Sequence, residues 1–301
     1  MKIVFAGNNI RAIKCLNFLI KKKIDVVLAI GHPKKKTDTK YYSSIEKISK
    51  KEKLNYLNPN SLNKNSILNK LNKIKPDLMI LVGYSACILK KEIYNIPKYG
   101  TINLHASLLP RYRGGSPLNW VIINGEKYTG ISIIKVNEGI DTGAILAQQK
   151  ILIRKRENIL TLTKKVNKLY PKLLYQTIKK ISRGRISYIK QSKKLKYFSK
   201  RKPEDGLINF QKFSAIKIER LVRALLPPFP GAYFVHKKLK FVIVGANIIK
   251  NKKNREPGLI MSKSKNKIIV SKKDYPINLK IINSNGKKAN IGIFKINKKI
   301  L

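Results

Sequence analysis

The first 140 residues alternate in a way that few architectures accommodate. Short apolar, largely β-branched runs occur at KIVFAG (2–7), IDVVLAIG (24–31), LMILVG (78–83), TINLH (101–105) and TGISIIKV (129–136). Segments with helical spacing separate them, as at Ile10, Ile13, Leu16, Phe18 and Leu19. A strand with one wet face alternates apolar and polar residues, whereas a continuous apolar run needs cover on both faces. The alternation therefore predicts an α/β, Rossmann-like domain with a mostly parallel sheet between crossover helices. A long amphipathic helix from Ile159 to Ile181, with Leu160, Leu162, Val166, Leu169, Leu173, Leu174 and Ile178 as its apolar positions, closes it.

After this helix the pattern changes. SKKLKYFSKRKPEDG (192–206) is polar and holds Pro203 and Gly206, which marks a connection. One helix follows, SAIKIERLVRALL (214–226), stopped by PPFPG. Then AYFVH, KFVIVGA, GLIMS, KIIVS, LKIINS and NIGIFKI follow at the spacing of a small antiparallel barrel. The expected organisation is a catalytic domain over 1–195, a linker over 196–206 and a second domain over 207–301.

Composition narrows the functional classes. The chain has 301 residues, 43% of them apolar, enough for two cores. Its formal charge is +51, but 42 of the 66 Lys and Arg fall in residues 1–200 and 24 in 201–301, with acidic residues split 10 and 5. So even a spread points to a general bias and does not by itself mark a nucleic-acid patch. Cys15 and Cys87 stand far apart, without the spacing of a disulfide framework or a metal site, so no metal is expected. The N-terminus is interrupted by Asn8, Asn9, Arg11 and Lys14, unlike a secretory leader, and no run approaches the roughly 20 apolar residues of a membrane span. A soluble, cytoplasmic protein with no membrane partner is expected.

KIVFAGNN has the strand-and-glycine opening of a nucleotide-binding unit, but GxGxxG is missing: Gly7 stands alone before Asn8 and Asn9. TINLHASLLPRYRGG (101–115) is more specific. Ligands of parallel sheets sit beyond the carboxyl ends of the strands. Alternation places Asn103 and His105 on one face of such a strand, with SLLPRYRGG as a loop above them. Asp141 follows in NEGIDTG. Asp can orient and support an imidazole, His can handle a proton, and Asn can donate to a developing oxyanion. With no Ser or Cys nucleophile in the group, direct attack by a substrate amine is the acyl-transfer chemistry that fits.

INLHASLLPRYRGGSP together with EGIDTG resembles the folate-dependent formyltransferase family, which transfers a formyl group from 10-formyltetrahydrofolate to a primary amine. The resemblance implies that Asn103, His105 and Asp141 are catalytic. It implies folate contacts along LVGYSACIL (81–89), through Tyr84, Ser85, Ala86 and Ile88, and at Ser107, Leu108, Leu109, Pro110, Glu138 and Gly139. The acceptor would meet Arg111, Tyr112, Arg113, Gly114 and Arg201, with Trp120 a further candidate. RLVRALLPPFPGAYF (220–234) resembles the start of the family's second domain, which implies a barrel of the oligonucleotide/oligosaccharide-binding (OB) type.

The family's known acceptors are methionyl-tRNA and nucleotide-linked amino sugars. SPLNWVIINGE (116–126) and KRKPEDGLINF (200–210) resemble the sugar branch, and AGNNIRA replaces the GTP-x-F-like turn usual in tRNA enzymes. GHPKKKTDTKYYSS (31–44), with Lys34, Lys35 and Lys36, could serve as a short form of the basic loop with which the tRNA enzymes grip the acceptor stem. SPLNW, KRKPEDG and AGNNIRA lean toward a nucleotide amino sugar, and the lysine loop toward methionyl-tRNA, the alternative acceptor. A third reading is an RNA-binding relative without catalysis, which the intact Asn/His/Asp set opposes.

Overall fold

The computed structural model describes residues 1–33, 44–84, 88–192, 196–250 and 256–300. The chain divides into two compact units, one of residues 1–117, 128–153 and 163–199, the other of 118–127, 154–162 and 200–301.

The first unit is organised by one sheet. Its strands are β1 (Ile3–Gly7), β2 (Val26–Ile30), β3 (Tyr56–Leu57), β4 (Leu78–Val82), β5 (Thr101–His105), β7 (Tyr128–Lys135) and β8 (Ile145–Leu152), with a short β6 (Arg113–Gly114) outside it. The helices are α1 (Ile10–Lys21), α2 (Glu46–Lys51), α3 (Asn65–Ile74), α4 (Lys91–Tyr94) and most of α6 (Ile159–Ser182). Every residue of β1 and β4 is buried, the physical counterpart of their unbroken apolar runs. The order is β3-β2-β1-β4-β5-β7-β8. The first five strands run parallel, while β7 and β8 are antiparallel to their neighbours. Asn9 caps α1, its side chain accepting from the Ala12 amide at 3.0 Å.

No apolar run announces β8. Ala147, Gln148, Gln149 and Lys150 interrupt it, and as an edge strand it needs cover on fewer sides. Within the segment expected to be a linker, Tyr197–Phe198 pairs as β9 with β6, and Gly115 N donates to the Phe198 carbonyl at 2.7 Å.

The second unit holds α5 (Pro117–Ile123, from Leu118 on), α7 (Ala215–Ala224) and a five-stranded antiparallel sheet. Its strands are β10 (Ala232–His236), β11 (Leu239–Ile248), β12 (Ile260–Ser264), β13 (Lys267–Val270) and β14 (Ile277–Asn283), in the order β10-β11-β14-β13-β12, consistent with a small barrel. NIGIFKI, expected as a sixth strand, forms turns. Gly292 N donates to Asn290 Oδ1 at 2.9 Å, and Phe294 N to the Ile291 carbonyl at 3.2 Å. Its apolar content is explained by Phe294, which is fully buried against Phe241, Phe234 and His236. Burial without a ladder gives the same sequence signature as a strand. Asp274, between β13 and β14, accepts from the amides of Ala215 at 2.8 Å and Ile216 at 3.4 Å at the start of α7, where Ser214 is the N-cap.

Candidate active site

β5 lies inside the sheet, with Asn103 in register between Leu81 of β4 and Ile134 of β7, and His105 opposite Ser132. The strand ends at His105, and the chain turns back over the sheet through Ser107–Gly114. This turn is unusual in its backbone: Tyr112 (φ 59°), Gly114 (φ 94°) and Ser116 (φ 53°) all lie in the left-handed region. Non-glycine residues hold such angles only where the surroundings over-determine them. At Gly114 glycine is required, because a Cβ would lie 2.3 Å from the Phe198 carbonyl oxygen.

A buried polar network supplies that over-determination. Ser132 Oγ donates to the Ser107 carbonyl (2.7 Å) and accepts from Leu109 N (3.1 Å) and Gln148 Nε2 (2.8 Å). Gln148 Nε2 also reaches the Leu109 carbonyl at 2.8 Å, and Ser107 Oγ donates to the Arg111 carbonyl at 2.7 Å. The loop is thus pinned to the sheet by hydrogen bonds as well as by the packing of Leu109 with Ile134 and Ile145.

Asp141, itself in the left-handed region (φ 54°), gathers three donors. Asn103 Nδ2 donates to Oδ1 at 3.2 Å, Gly114 N to Oδ2 at 3.0 Å, and His105 Nδ1 stands 3.3 Å from Oδ2. His105 is 7% exposed, and its Nε2 lies 2.8 Å from the Tyr112 carbonyl oxygen. Both ring nitrogens therefore face oxygen acceptors. A neutral imidazole can donate to one of them, an imidazolium to both. Asn103 Nδ2 carries two hydrogens, of which Asp141 takes one.

The other residues expected at the site divide. Tyr112 is buried and stacks on Phe198 (centroids 4.7 Å apart), while Arg111 is exposed with its guanidinium 5.8 Å from the Tyr112 ring centroid. Arg113, expected to contact the acceptor, is buried. Its Nε and Nη2 donate to Gln191 Oε1 at 3.1 and 2.9 Å, and Nη2 also to the Ser192 carbonyl at 2.8 Å. An arginine in a glycine-rich loop suggests an anion contact in sequence; Nε and Nη2 of this one are hydrogen-bonded within the first unit. Ser107 and Leu109 are buried in the loop, and Leu108 and Pro110 partly so. Glu138 and Ile88 are exposed, Gly139 and Tyr84 partly buried. Ser85, Ala86 and Lys34–Lys36 lie outside the described residues. Arg201 belongs to the second unit, where its guanidinium lies over Trp120 (4.8 Å to the ring centroid) and donates to the Asp205 carbonyl at 2.7 Å.

Ser132, Gln148 and Gln191 were invisible to motif reading, because each acts on backbone groups from a distant part of the chain. Burial pushes the Cys15 thiol up to about 12, so it offers no nucleophile. Among the described residues no group of three His, Cys, Asp or Glu is placed to hold a metal ion.

Comparison with known proteins shows the family. The family description "Formyl transferase" matches residues 1–178, and "Formyl transferase, C-terminal domain" matches 200–292. A methionyl-tRNA formyltransferase of Thermodesulfovibrio yellowstonii is 36% identical over 289 residues, covering 95% of this chain and 92% of that one. The bifunctional polymyxin resistance protein ArnA of Wigglesworthia glossinidia brevipalpis is 39% identical over 264 residues, covering 86% of this chain and 39% of that one. Among solved structures, the sugar 3N-formyl transferase WlaRD shares the fold with a TM-score of 0.70 at 22% identity, covering 94% of this chain and 98% of that one. With both family descriptions matched in order, and relatives above 30% identity along nearly the whole length, the chain belongs to the formyl transferase family.

Proposed function

We propose that this chain transfers the formyl group of 10-formyltetrahydrofolate to the amine of methionyl-tRNA. The observation that carries the acceptor is the relationship to methionyl-tRNA formyltransferases such as that of Thermodesulfovibrio yellowstonii, which extends over 95% of this chain and 92% of that one. The sugar-nucleotide acceptor favoured by SPLNW and RKPEDG stands as a second reading, supported by the 39% identity to the ArnA protein. The solved sugar formyltransferases, at 20–22% identity, support the fold alone.

Bound 10-formyltetrahydrofolate supplies an activated formyl carbon. The donor set suits it: Asn103 keeps an unspent N–H for the formyl oxygen, and exposed Ile88 and Ile140 offer apolar contact on the segments expected to hold the folate. Tyr84, Ile88, Ser107–Pro110 and Glu138–Gly139 are the described residues that would hold it. Asn103 donates to the negative charge that develops on the formyl oxygen. His105, with Nε2 held by the Tyr112 carbonyl and Nδ1 beside Asp141, holds a ring proton at a fixed place. Asp141 accepts a proton from the attacking nitrogen through water, and the same proton is returned to the departing nitrogen, so the residues end as they began. The test offers methionyl-tRNA and a panel of nucleotide amino sugars with 10-formyltetrahydrofolate. Formylation of the tRNA is expected; formylation of a sugar alone would overturn the acceptor.

A further inference from the structure

We propose that Gln191 is a positioning residue of the catalytic centre, which holds Asp141 in its productive conformation from the backbone side. The inference rests on the reading of Asp141 above as the group that moves the proton.

Gln191 lies 50 residues beyond Asp141, in the segment after α6, and its amide is fully used. Nε2 donates to the Asp141 carbonyl at 3.0 Å and to the Gly143 carbonyl at 2.6 Å. Oε1 accepts from Arg113 Nε and Nη2 at 3.1 and 2.9 Å. A flipped amide would point oxygen at two carbonyls and N–H groups at a guanidinium, so Arg113 fixes which end donates. The cation also polarises the amide, strengthening the two bonds it makes to the turn.

These contacts close a ring. The Arg113 side chain holds Gln191, Gln191 holds the Asp141 carbonyl, and the Asp141 carboxylate accepts from Gly114 N, the residue next to Arg113. Asp141 is thus gripped at both its backbone and its side chain. It needs to be, since φ 54° is a conformation Asp visits at a cost. The turn has no slack on its other side: a Cβ on Gly143 would lie 1.8 Å from the Lys135 carbonyl oxygen. If the Gln191 bonds are lost, the turn can relax toward an ordinary backbone angle. The carboxylate then leaves Asn103 and His105, and a misplacement of about 1 Å at a reacting group costs about a hundredfold in rate.

Two variants test this. Gln191→Leu removes every hydrogen bond at similar volume. Gln191→Glu keeps a partner for Arg113, and so the fold, but sets a carboxylate oxygen against the Asp141 and Gly143 carbonyls. In both, kcat for formyl transfer should fall about 10- to 100-fold while KM for folate and acceptor stays within about threefold. The chain has three histidines, so imidazole NMR resolves the centre directly. The His105 ring signals should move in both variants, while those of His32 and His236 stay in place. A kcat within about twofold of wild type in both variants would overturn the proposal, as would a rise in KM at unchanged kcat. If the wild-type chain formylates no acceptor, the functional reading fails on its own. The His105 signals then still decide the clamp, and unmoved signals refute it.

Discussion

Replacing Ser132 by alanine should damage both stability and turnover, although Ser132 touches no substrate. Its hydroxyl makes three hydrogen bonds, with Ser107, Leu109 and Gln148, in a fully buried site. Gln148 keeps its bond to the Leu109 carbonyl at 2.8 Å, but the Leu109 amide and the Ser107 carbonyl lose the hydroxyl that serves them. An orphaned buried polar group costs roughly 1–3 kcal/mol, so the pair costs about 2–6 kcal/mol. For a unit of this size, at about 2–4 °C per kcal/mol, that is a fall in melting temperature of roughly 4–24 °C. The same loop carries the Tyr112 carbonyl that holds His105 Nε2 at 2.8 Å, so kcat should fall about tenfold or more as the imidazole loses its orientation. Differential scanning calorimetry gives the first quantity, single-turnover kinetics the second, and hydrogen exchange at the Leu109 amide localises the damage. If Ser132→Ala melts within about 1 °C of wild type, and the Leu109 amide keeps its protection, the loop is held by packing and the reasoning is wrong.

Three further predictions concern the acceptor and the second unit. If the acceptor is a tRNA gripped through about six phosphates, kcat/KM should drop about a thousandfold between 50 and 200 mM salt, whereas a sugar nucleotide gives a far shallower slope. Asp274→Ala removes an anionic cap from the first two amides of α7 and should cost about 1 kcal/mol in urea unfolding of the second unit; no change would show Ser214 to be a sufficient cap. Burial lowers the pKa of Lys272, whose ammonium donates to the Phe210 carbonyl, from the usual 10.5 to about 8. Between those values the native chain holds fewer protons than the unfolded one, so the penalty is complete below pH 8 and fades as pH rises toward 10.5. Lys272→Met should therefore stabilise the second unit at pH 7, and that gain should shrink by pH 10; a gain independent of pH would refute the assignment.

Much of this protein can be read from its residues, and what cannot has physical reasons. β1, β2 and β4 announce themselves because burial on both faces leaves no room for polar residues. β8 does not, because an edge strand tolerates Gln148, Gln149 and Lys150. NIGIFKI misleads because Phe294 is buried by aromatic packing without a ladder. Asn103, His105 and Asp141 could be gathered in advance from alternation on one strand and the DTG turn. The residues that hold them, Ser132, Gln148, Gln191 and Arg113, act on main-chain groups or on one another over separations of up to 79 residues. Such bonds have no spacing and no composition to mark them. None of the hydrogen bonds named above that hold the site comes from a lysine side chain, although the surplus of lysine is the most conspicuous feature of the sequence.

In the proposed reaction Asp141, set by Asn103, His105 and Gly114, moves the proton in formyl transfer. Single-turnover transfer from 10-formyltetrahydrofolate to methionyl-tRNA, measured for wild type and Asp141→Asn, tests it most directly. A fall of about 10²- to 10⁴-fold is expected, with a folded protein and a nearly unchanged KM. Transfer at close to the wild-type rate by the folded variant would contradict it.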